Sequence, residues 1–445
     1  MKLVFRTLCV AVASAAIATS SAHGAVSLVG TGSLPANASD LSGLTGTLEN
    51  GGSKSLLGAF GSGIAYTGQG NRFIAVPDRG PNAAPYNAAV DDTTSFQARF
   101  HDIDVAVSGA TVTPTLIKTT LLSNEAGVPL SGLSSGFDAT NSSASARFDP
   151  EGVRVSRDGQ SIFISDEYGP FVYQFDRTTG RRIRVFNVPA KFKIAAPTAQ
   201  SATETSGNTS GRVANRGMEG LAITPDGSAL VGIMQNPLIQ DGGRNGLNVR
   251  MLVIDIASGT TRELVYQLDS KSYGVNEIVA VSSTEFLLIE RDGSAGASAV
   301  QKKIYRINIA AATDVGAIAV LPLTGLPGGT VAATKSLFID MLSPSFGLSG
   351  ATFPEKIEGL ALGPLMPDGR LTLVVTNDND FLPANPNNFY VFAFNLADLP
   401  TFQAQQFAYP QAAPTPTVPT ISSASLLGLI ALLLSTGLVV QLRRR

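Results

Sequence analysis

One pattern recurs five times along the chain: a polar residue opens an apolar strand, a tight turn follows, and another polar residue closes the returning strand. In the copy FDPEGVRVSRDGQSIFISDEYG, at 148–169, Glu151 opens the pattern, Asp158-Gly159 forms the turn, and Asp166 and Glu167 close it. Asp-Gly favours a hairpin because glycine adopts positive φ without steric cost. Since hairpin strands run antiparallel, this copy predicts three carboxylates on one edge of a sheet.

The other copies start at 61, 217, 275 and 356, and the opening polar residues of the five copies lie 58 to 89 residues apart. Further strand-like pairs follow two of them, at 171–188 and 249–268. Two hairpins per repeat make a four-stranded blade, and a ring of blades makes a β-propeller. We therefore predict an all-β fold with six blades, within a range of five to seven, because the two longest intervals have room for one more copy.

Both ends of the chain read as targeting segments. Residues 1–24 combine Lys2 and Arg6 with an apolar stretch and small residues, as a secretory signal peptide does. A domain at 25–405 and a Pro/Thr-rich linker at 406–423 lead to an apolar stretch with three terminal arginines at 424–445. That stretch predicts a transmembrane helix, and with its flanks it resembles bacterial sorting tails of the PEP-CTERM and IPTL-CTERM type. We expect an exported, periplasmic or cell-surface protein, tethered by the helix or released by a sorting protease.

Composition excludes several kinds of site. Five of the 32 basic residues lie in the two end segments and none of the 34 acidic ones does, which leaves the domain with a formal charge of −7. An acidic domain argues against nucleic acid as a partner. The single cysteine, Cys9, lies in the signal, and the domain has one histidine, His101, which we expect to be structural. Oxygen therefore remains as the ligand type, and it favours Ca²⁺ or another hard divalent cation.

The repeat predicts where such a site lies. If the hairpins form the innermost strands, their opening and closing acids meet at one mouth of the central channel. The expected metal ligands are Glu151, Glu219, Glu277, Glu358, Asp78 and Asp378. The expected proton acceptors are Glu167 and Asp166, and the expected substrate-binding cations are Arg79, Arg216 and Arg291. A structural interpretation stays open, in which these acids only cap strands and form ion pairs between blades.

Four motifs together resemble one family. FDPEGVRVSRDGQSIFISDEYGPFVYQFD, NRGMEGLAITPDG, KIEGLALGP and VPDRGPN are similar to the phytase-like propellers described as having esterase-like activity. The resemblance covers about 55–397 and implies an exported propeller that hydrolyses ester or phosphoester bonds. The expected partner is a small anionic or ester substrate, and the expected state is a monomer. Two alternatives stay open: a metal-dependent lactonase or carboxylesterase, and a non-catalytic surface propeller that binds a partner.

Overall fold

The structure is a computed structural model that describes residues 26–82, 93–133, 146–198 and 200–410. The predicted signal peptide, the linker beyond 410 and the predicted helix at 424–445 lie outside these residues. Within them, no helix is long and apolar enough to cross a membrane. The chain divides into two compact units, 1–407 and 408–445, and every strand among the described residues belongs to the first.

The described residues contain twenty strands and one short α-helix, α1 (Ser201–Gly207). In chain order the strands are β1 (Ser27–Leu34), β2 (Gly63–Tyr66), β3 (Arg72–Val76), β4 (Arg99–Ser108), β5 (Thr111–Leu121), β6 (Pro150–Val155), β7 (Ser161–Asp166), β8 (Val172–Asp176), β9 (Arg182–Phe186), β10 (Met218–Ile223), β11 (Ala229–Met234), β12 (Asn248–Asp255), β13 (Thr261–Gln267), β14 (Gly274–Ala280), β15 (Glu285–Arg291), β16 (Lys302–Asn308), β17 (Thr334–Asp340), β18 (Ile357–Leu365), β19 (Leu371–Asn377) and β20 (Asn387–Phe394).

These strands form five antiparallel four-stranded groups in the described part of the chain, which we call blades. Blade 1 is β2–β5, blade 2 is β6–β9, blade 3 is β10–β13 and blade 4 is β14–β17, while blade 5 has the order β18-β19-β20-β1. The first strands contact one another in the closed order β2, β6, β10, β14, β18 and back to β2. This arrangement is consistent with a β-propeller and puts the five predicted hairpins innermost.

Five blades in the described residues stand at the lower end of the expected range. The interval between Ser62 and Glu151 contains the long strands β4 and β5, and the interval between Glu277 and Glu358 contains the connection 309–333 between β16 and β17. In the described residues of these two intervals, long strands and one long connection occupy the sequence that suggested a sixth blade.

The N-terminal strand completes the last blade. β1 pairs antiparallel with β20, from Ser27 opposite Ala393 to Leu34 opposite Asn387. It also makes one parallel pairing with blade 1, between Thr31 and Thr111, so that blades 1 and 5 form one eight-stranded sheet. Because the partner of β1 lies at the far end of the chain, the repeat pattern could not reveal this closure.

The inner hairpins have the predicted turns but are more deeply buried than predicted. Gly159, Gly227 and Gly369 adopt φ of 69°, 73° and 86°, as the Asp-Gly turns require. Alternation predicted half-buried strands in the copy at 148–169, yet all residues of β6 and β7 are buried. Neighbouring blades cover both faces of an inner strand, so its outward-facing positions are also enclosed.

A β-bulge interrupts each inner strand of blades 2 to 5 near its N-terminal end. The register shifts lie between Pro150 and Val153, Met218 and Gly220, Val275 and Ile278, and Ile357 and Leu360. A bulge re-aims side chains locally and is common beside active sites. The residues that occupy these bulges include Glu151, Glu219, Asn276 and Glu358.

Arg154 of β6 crosses the ring below these bulges. Its Nη1 donates to the carbonyl of Ile64 in blade 1 at 2.8 Å, and its Nη2 donates to Ile278 in blade 4 at 2.6 Å and Leu360 in blade 5 at 3.4 Å. Nη2 also lies 3.2 Å from Glu277 Oε1. The guanidinium therefore ties four blades together across the channel.

An apolar cavity of about 430 Å³ lies at the opposite end of the inner strands, with Arg154 in its wall. The segment 402–407 forms part of this wall and crosses the ends of three blades. In this segment, Gln403 N–H donates to Val281 O at 2.8 Å and Gln406 N–H donates to Pro225 O at 2.7 Å. The polar mouth of the channel and this apolar mouth are thus separate environments.

Candidate active site

A polar cavity of about 360 Å³ lies where the inner strands begin. The described residues that line it include nine carboxylates and four cations, a formal excess of five negative charges. The carboxylates are Asp78, Glu151, Glu167, Glu219, Asp292, Glu355, Glu358, Asp378 and Asp380, and the cations are Arg79, Arg216, Arg291 and Lys356. Such an excess requires either bound protons or a bound cation.

The structure brings together most of the residues that the repeat singled out. Nine of them line this cavity: Asp78, Arg79, Glu151, Glu167, Arg216, Glu219, Arg291, Glu358 and Asp378. Two others, Asp166 and Glu277, are not part of the lining that the described residues form. Both carboxylates accept hydrogen bonds from the backbone instead.

Asp166 stabilises a turn. Its Oδ1 accepts the N–H groups of Asp149 and Tyr168, each at 3.1 Å, and its Oδ2 accepts the N–H of Gly169 at 3.0 Å. Burial raises the pKa of the Asp166 carboxyl to about 6 although these donors lower it. Backbone donors occupy both oxygens, so the structure gives Asp166 a role in holding this turn.

Glu277 joins blades 3 and 4. Its Oε1 accepts the N–H of Leu221 and its neighbour Ile278, each at 2.9 Å, in addition to the contact with Arg154. The expectation of a metal ligand in β14 was one residue out of register. Asn276 occupies the position that Glu151, Glu219 and Glu358 hold in the other blades, and it lines the cavity. Aligning the apolar residue before each acid would have found it.

Asn276 bridges the acids of its two neighbouring blades. Its Nδ2 donates to Glu219 Oε1 at 3.0 Å and to Glu358 Oε1 at 3.2 Å. Glu358 Oε1 also accepts a hydrogen bond from Arg291 Nη2 at 2.7 Å. The amide therefore holds two carboxylates in place without adding a charge.

Three buried carboxylates form the tightest cluster in the described residues. One oxygen from each of Asp149, Glu151 and Glu167 lies within 4.8 Å of the others. Arg79 stands beside two of them: its N–H donates to Asp149 Oδ1 at 2.9 Å, its guanidinium also contacts Asp149, and its Nη1 lies 3.3 Å from Glu167 Oε2. Asp149 was not among the expected ligands because it lies just before the strand that the repeat defines.

Glu151 and Glu219 are the least satisfied of these acids. Among the described residues the Glu151 side chain has no hydrogen bond or ion pair, although it is only 6% exposed. Glu219 Oε1 accepts from Gln235 and Asn276, whereas its buried Oε2 has no hydrogen-bond partner. The Glu151 carboxylate and Glu219 Oε2 are therefore free to accept a hydrogen bond or to coordinate a cation.

Burial and neighbouring acids together raise the pKa values of the cavity carboxyls. Burial, then the charge of Glu219, raises the pKa of Glu151 well above its usual range. Burial, followed by the neighbouring Asp149, raises the pKa of Glu167 to about 7. Burial and the charge of Asp378 likewise raise the pKa of Asp78. A cation among these groups would lower each of these pKa values because it favours the ionised forms.

The donor set fits a hard cation. His101 is buried in β4, where its Nδ1 lies 3.0 Å from Thr119 Oγ1 and burial lowers its pKa to about 3, as expected of a structural residue. The acidic cluster consists of carboxylate oxygens alone, which is the ligand type that Ca²⁺ and Mg²⁺ prefer.

Comparison with known proteins agrees with the motifs. The family described as "Phytase-like: Esterase-like activity of phytase" matches residues 55–381. A protein of Arthroderma benhamiae described as an uncharacterized secreted protein is 30% identical over 357 residues, which cover 63% of this chain. The match covers 66% of that relative, slightly less than two thirds of its length.

Solved structures match at much lower identity. Hydrazine synthase of Kuenenia stuttgartiensis is 11% identical, with a TM-score of 0.33 over 76% of this chain and 80% of that chain. Glutaminyl cyclase of Myxococcus xanthus is 11% identical, with a TM-score of 0.36 over 83% of this chain and 97% of that chain. Since the family match spans most of the chain, the protein belongs to the phytase-like family.

Proposed function

We propose that this protein is an exported hydrolase that cleaves ester or phosphoester bonds with a divalent cation, Ca²⁺ by preference, in the polar cavity. The observation that carries the proposal is the cluster of Asp149, Glu151 and Glu167. Three buried carboxylates so close together repel one another, and Glu151 has no partner in the described residues that would offset this repulsion. Family membership supports the reaction class.

The three carboxylates of the cluster would hold the cation. The negative charge around it would be completed by the other cavity acids Glu219, Glu358, Asp78 and Asp378. A divalent cation there would polarise a phosphoryl or carbonyl oxygen and lower the pKa of a bound water. Glu167 belongs to the cluster, so we assign the role of proton acceptor to Glu219. Its buried Oε2 has no hydrogen-bond partner and is free to take a proton from water within hydrogen-bond reach.

The substrate would be a small molecule with an ester or phosphoester bond. Arg79 and Arg291 line the cavity but are held by Asp149 and Glu358, so their main role would be to balance the acids. Arg216 is the cavity cation best placed to meet a substrate anion. We further propose that the protein acts as a monomer.

Export is proposed from the sequence. The signal-peptide pattern of 1–24 and the apolar, Arg-terminated stretch of 424–445 support passage out of the cytoplasm. The relative described as secreted is in agreement. The tail would tether the domain to a membrane until a sorting protease releases it.

The test is hydrolysis by the purified protein of aryl phosphates, phytate, aryl esters and lactones, with and without a chelator. We expect chelator-sensitive turnover, a loss of at least tenfold in Glu151→Gln and Glu219→Gln, and no loss in Asp368→Asn, which changes an exposed acid in a hairpin turn. Chelator-insensitive hydrolysis, or full activity in both cavity variants, would refute the metal-dependent reaction.

The same panel distinguishes the alternatives. Turnover confined to lactones or carboxylic esters would identify a metal-dependent lactonase or carboxylesterase. A folded protein that binds a divalent cation but hydrolyses none of the panel would instead favour the binding propeller.

A further inference from the structure

Arg216 differs from the other three cations of the cavity. Arg79 pairs with Asp149 and Glu167, Arg291 pairs with Glu358, and Lys356 pairs with Asp378 and Asp380. Arg216 makes no ion pair with any residue that the structure describes. It lies half-buried in the cavity wall, and its buried Nε has no hydrogen-bond acceptor.

Its surroundings hold the guanidinium in place. Nη1 donates to Asn236 Oδ1 at 3.1 Å, and Asn236 in turn donates from Nδ2 to the carbonyl of Tyr273 at 3.1 Å. Gly274 lies beside it, at a distance where a Cβ would make an ordinary van der Waals contact with Nη1, at 3.6 Å. The preceding residue, Asn215, has a left-handed φ of 56°, a conformation that asparagine tolerates better than most residues.

Among the cations of the described lining, Arg216 alone is not offset by a carboxylate partner. Every other cation of the lining is already offset by carboxylates, and the cavity keeps a formal excess of five negative charges. One divalent cation would still leave it negative. Beyond Arg216, a ligand with several phosphates would therefore meet a lining whose net charge is negative.

We infer that Arg216, positioned by Asn236, binds the single anionic group of the substrate, and that the cavity discriminates against polyphosphorylated molecules. This inference rests on the proposed function and specifies its substrate class as small esters or phosphate monoesters with one anionic group. The anionic group is the phosphoryl group itself in a monoester and a separate carboxylate in a carboxylic ester. Asn236 is a positioning residue, because it acts through the guanidinium.

Calorimetric binding tests the inference without turnover. The probes are phenylphosphonate, which cannot be hydrolysed as an ester, benzoate and inositol hexakisphosphate, each added to the Ca²⁺-loaded protein. We expect phenylphosphonate or benzoate to bind more tightly than the hexakisphosphate. Tighter binding of phenylphosphonate would indicate that the anionic group of the substrate is a phosphoryl group, and tighter binding of benzoate would indicate a carboxylate. Arg216→Gln should weaken the better probe at least tenfold, and Arg216→Lys should weaken it less. Arg262→Gln, which changes an exposed arginine outside the cavity lining, should leave it unchanged.

A variant of Asn236 and a double variant test the inference further. Asn236→Ala should weaken the better probe by a few fold, and the double variant with Arg216→Gln should bind no more weakly than Arg216→Gln alone. Unaltered binding in Arg216→Gln, with Ca²⁺ affinity retained, would overturn the inference, as would tighter binding of the hexakisphosphate. Arg216-dependent binding without hydrolysis of any substrate would refute the proposed reaction and leave the anion site standing.

Discussion

The side-chain amide of Asn276 donates to the carboxylate of Glu219 at 3.0 Å, across the boundary between blades 4 and 3. The same amide reaches Glu358 in blade 5, so one neutral residue separates two buried acids. Its neutrality therefore affects both the stability of the cavity and its affinity for cations.

Asn276→Asp should lower stability and strengthen cation binding. Without divalent cations the new carboxylate removes a donor and adds a like charge, and we expect a loss of about 2–4 kcal/mol in the free energy of unfolding. With Ca²⁺ the loss should shrink or reverse, and the Ca²⁺ affinity should rise. Urea unfolding with and without Ca²⁺ measures both effects. Asn71→Asp, the same change at an exposed position, is the control, and equal losses in the two variants would contradict this account.

Without metal, the protein should become less stable as the pH rises from about 5 to 8. Burial raises the pKa of Glu167 and of Glu277 to about 7, above the value of about 4.5 expected for an unfolded chain. The folded state then binds more protons than the unfolded state between these values, so its stability falls as the pH increases through this window. Thermal unfolding with a chelator should show the fall, and Ca²⁺ should offset it most at pH 8. A melting temperature that rises with pH in the chelated protein would show the sign to be wrong.

Arg154 and Glu277 should be strongly coupled in stability. Arg154→Met leaves the Glu277 carboxylate buried without its charge partner, which typically costs about 3–5 kcal/mol. Glu277→Gln keeps an oxygen for the Leu221 N–H and should cost less, about 1–2 kcal/mol. The double variant should lose less than the sum of the two, as measured by urea unfolding. Arg370→Met, which breaks a partly exposed ion pair, is the control, and strict additivity would argue against the coupling.

Gly359 should tolerate no side chain. A Cβ there would lie 2.1 Å from Thr376 Oγ1 and 2.8 Å from the Gly61 carbonyl oxygen, so blades 1 and 5 would have to separate. We expect Gly359→Ala to lower the free energy of unfolding by about 1–3 kcal/mol. Gly328→Ala, where a Cβ meets nothing within 4 Å, should change it by less than about 0.5 kcal/mol. Adding Thr376→Ala to the Gly359→Ala variant should recover only part of the lost stability, because the clash with the Gly61 carbonyl oxygen remains.

The local pattern was sufficient to predict the inner hairpins and most of the cavity. Turn chemistry, strand alternation and the recurring acids are properties of short segments, and they located Glu151, Glu219 and Glu358 correctly. The error at Glu277 arose because its blade carries Asn276 at the equivalent position, and a search for acids passes over an amide.

Other features depend on residues that are distant in sequence. Nothing in the segment around Arg154 indicates that its guanidinium reaches carbonyls in three other blades. The ion pairs that distinguish Arg216 from Arg79 and Arg291 likewise join separate repeats. Strand period and turn type predict which face a side chain occupies, but not which partner it meets across the ring.

The pairing of β1 with β20 also has a consequence for the order of folding. Ser27 is made early and Ala393 late, so the first strand leaves the ribosome, or any export pore, long before its partner. Blades 2, 3 and 4 are each built from contiguous sequence and can form as their strands emerge. Ring closure must bring together segments more than 350 residues apart, and such distant contacts form slowly. Until then β1 and β20 expose unpaired edges, so the unfinished molecule is most vulnerable to aggregation at the place where its two ends will meet.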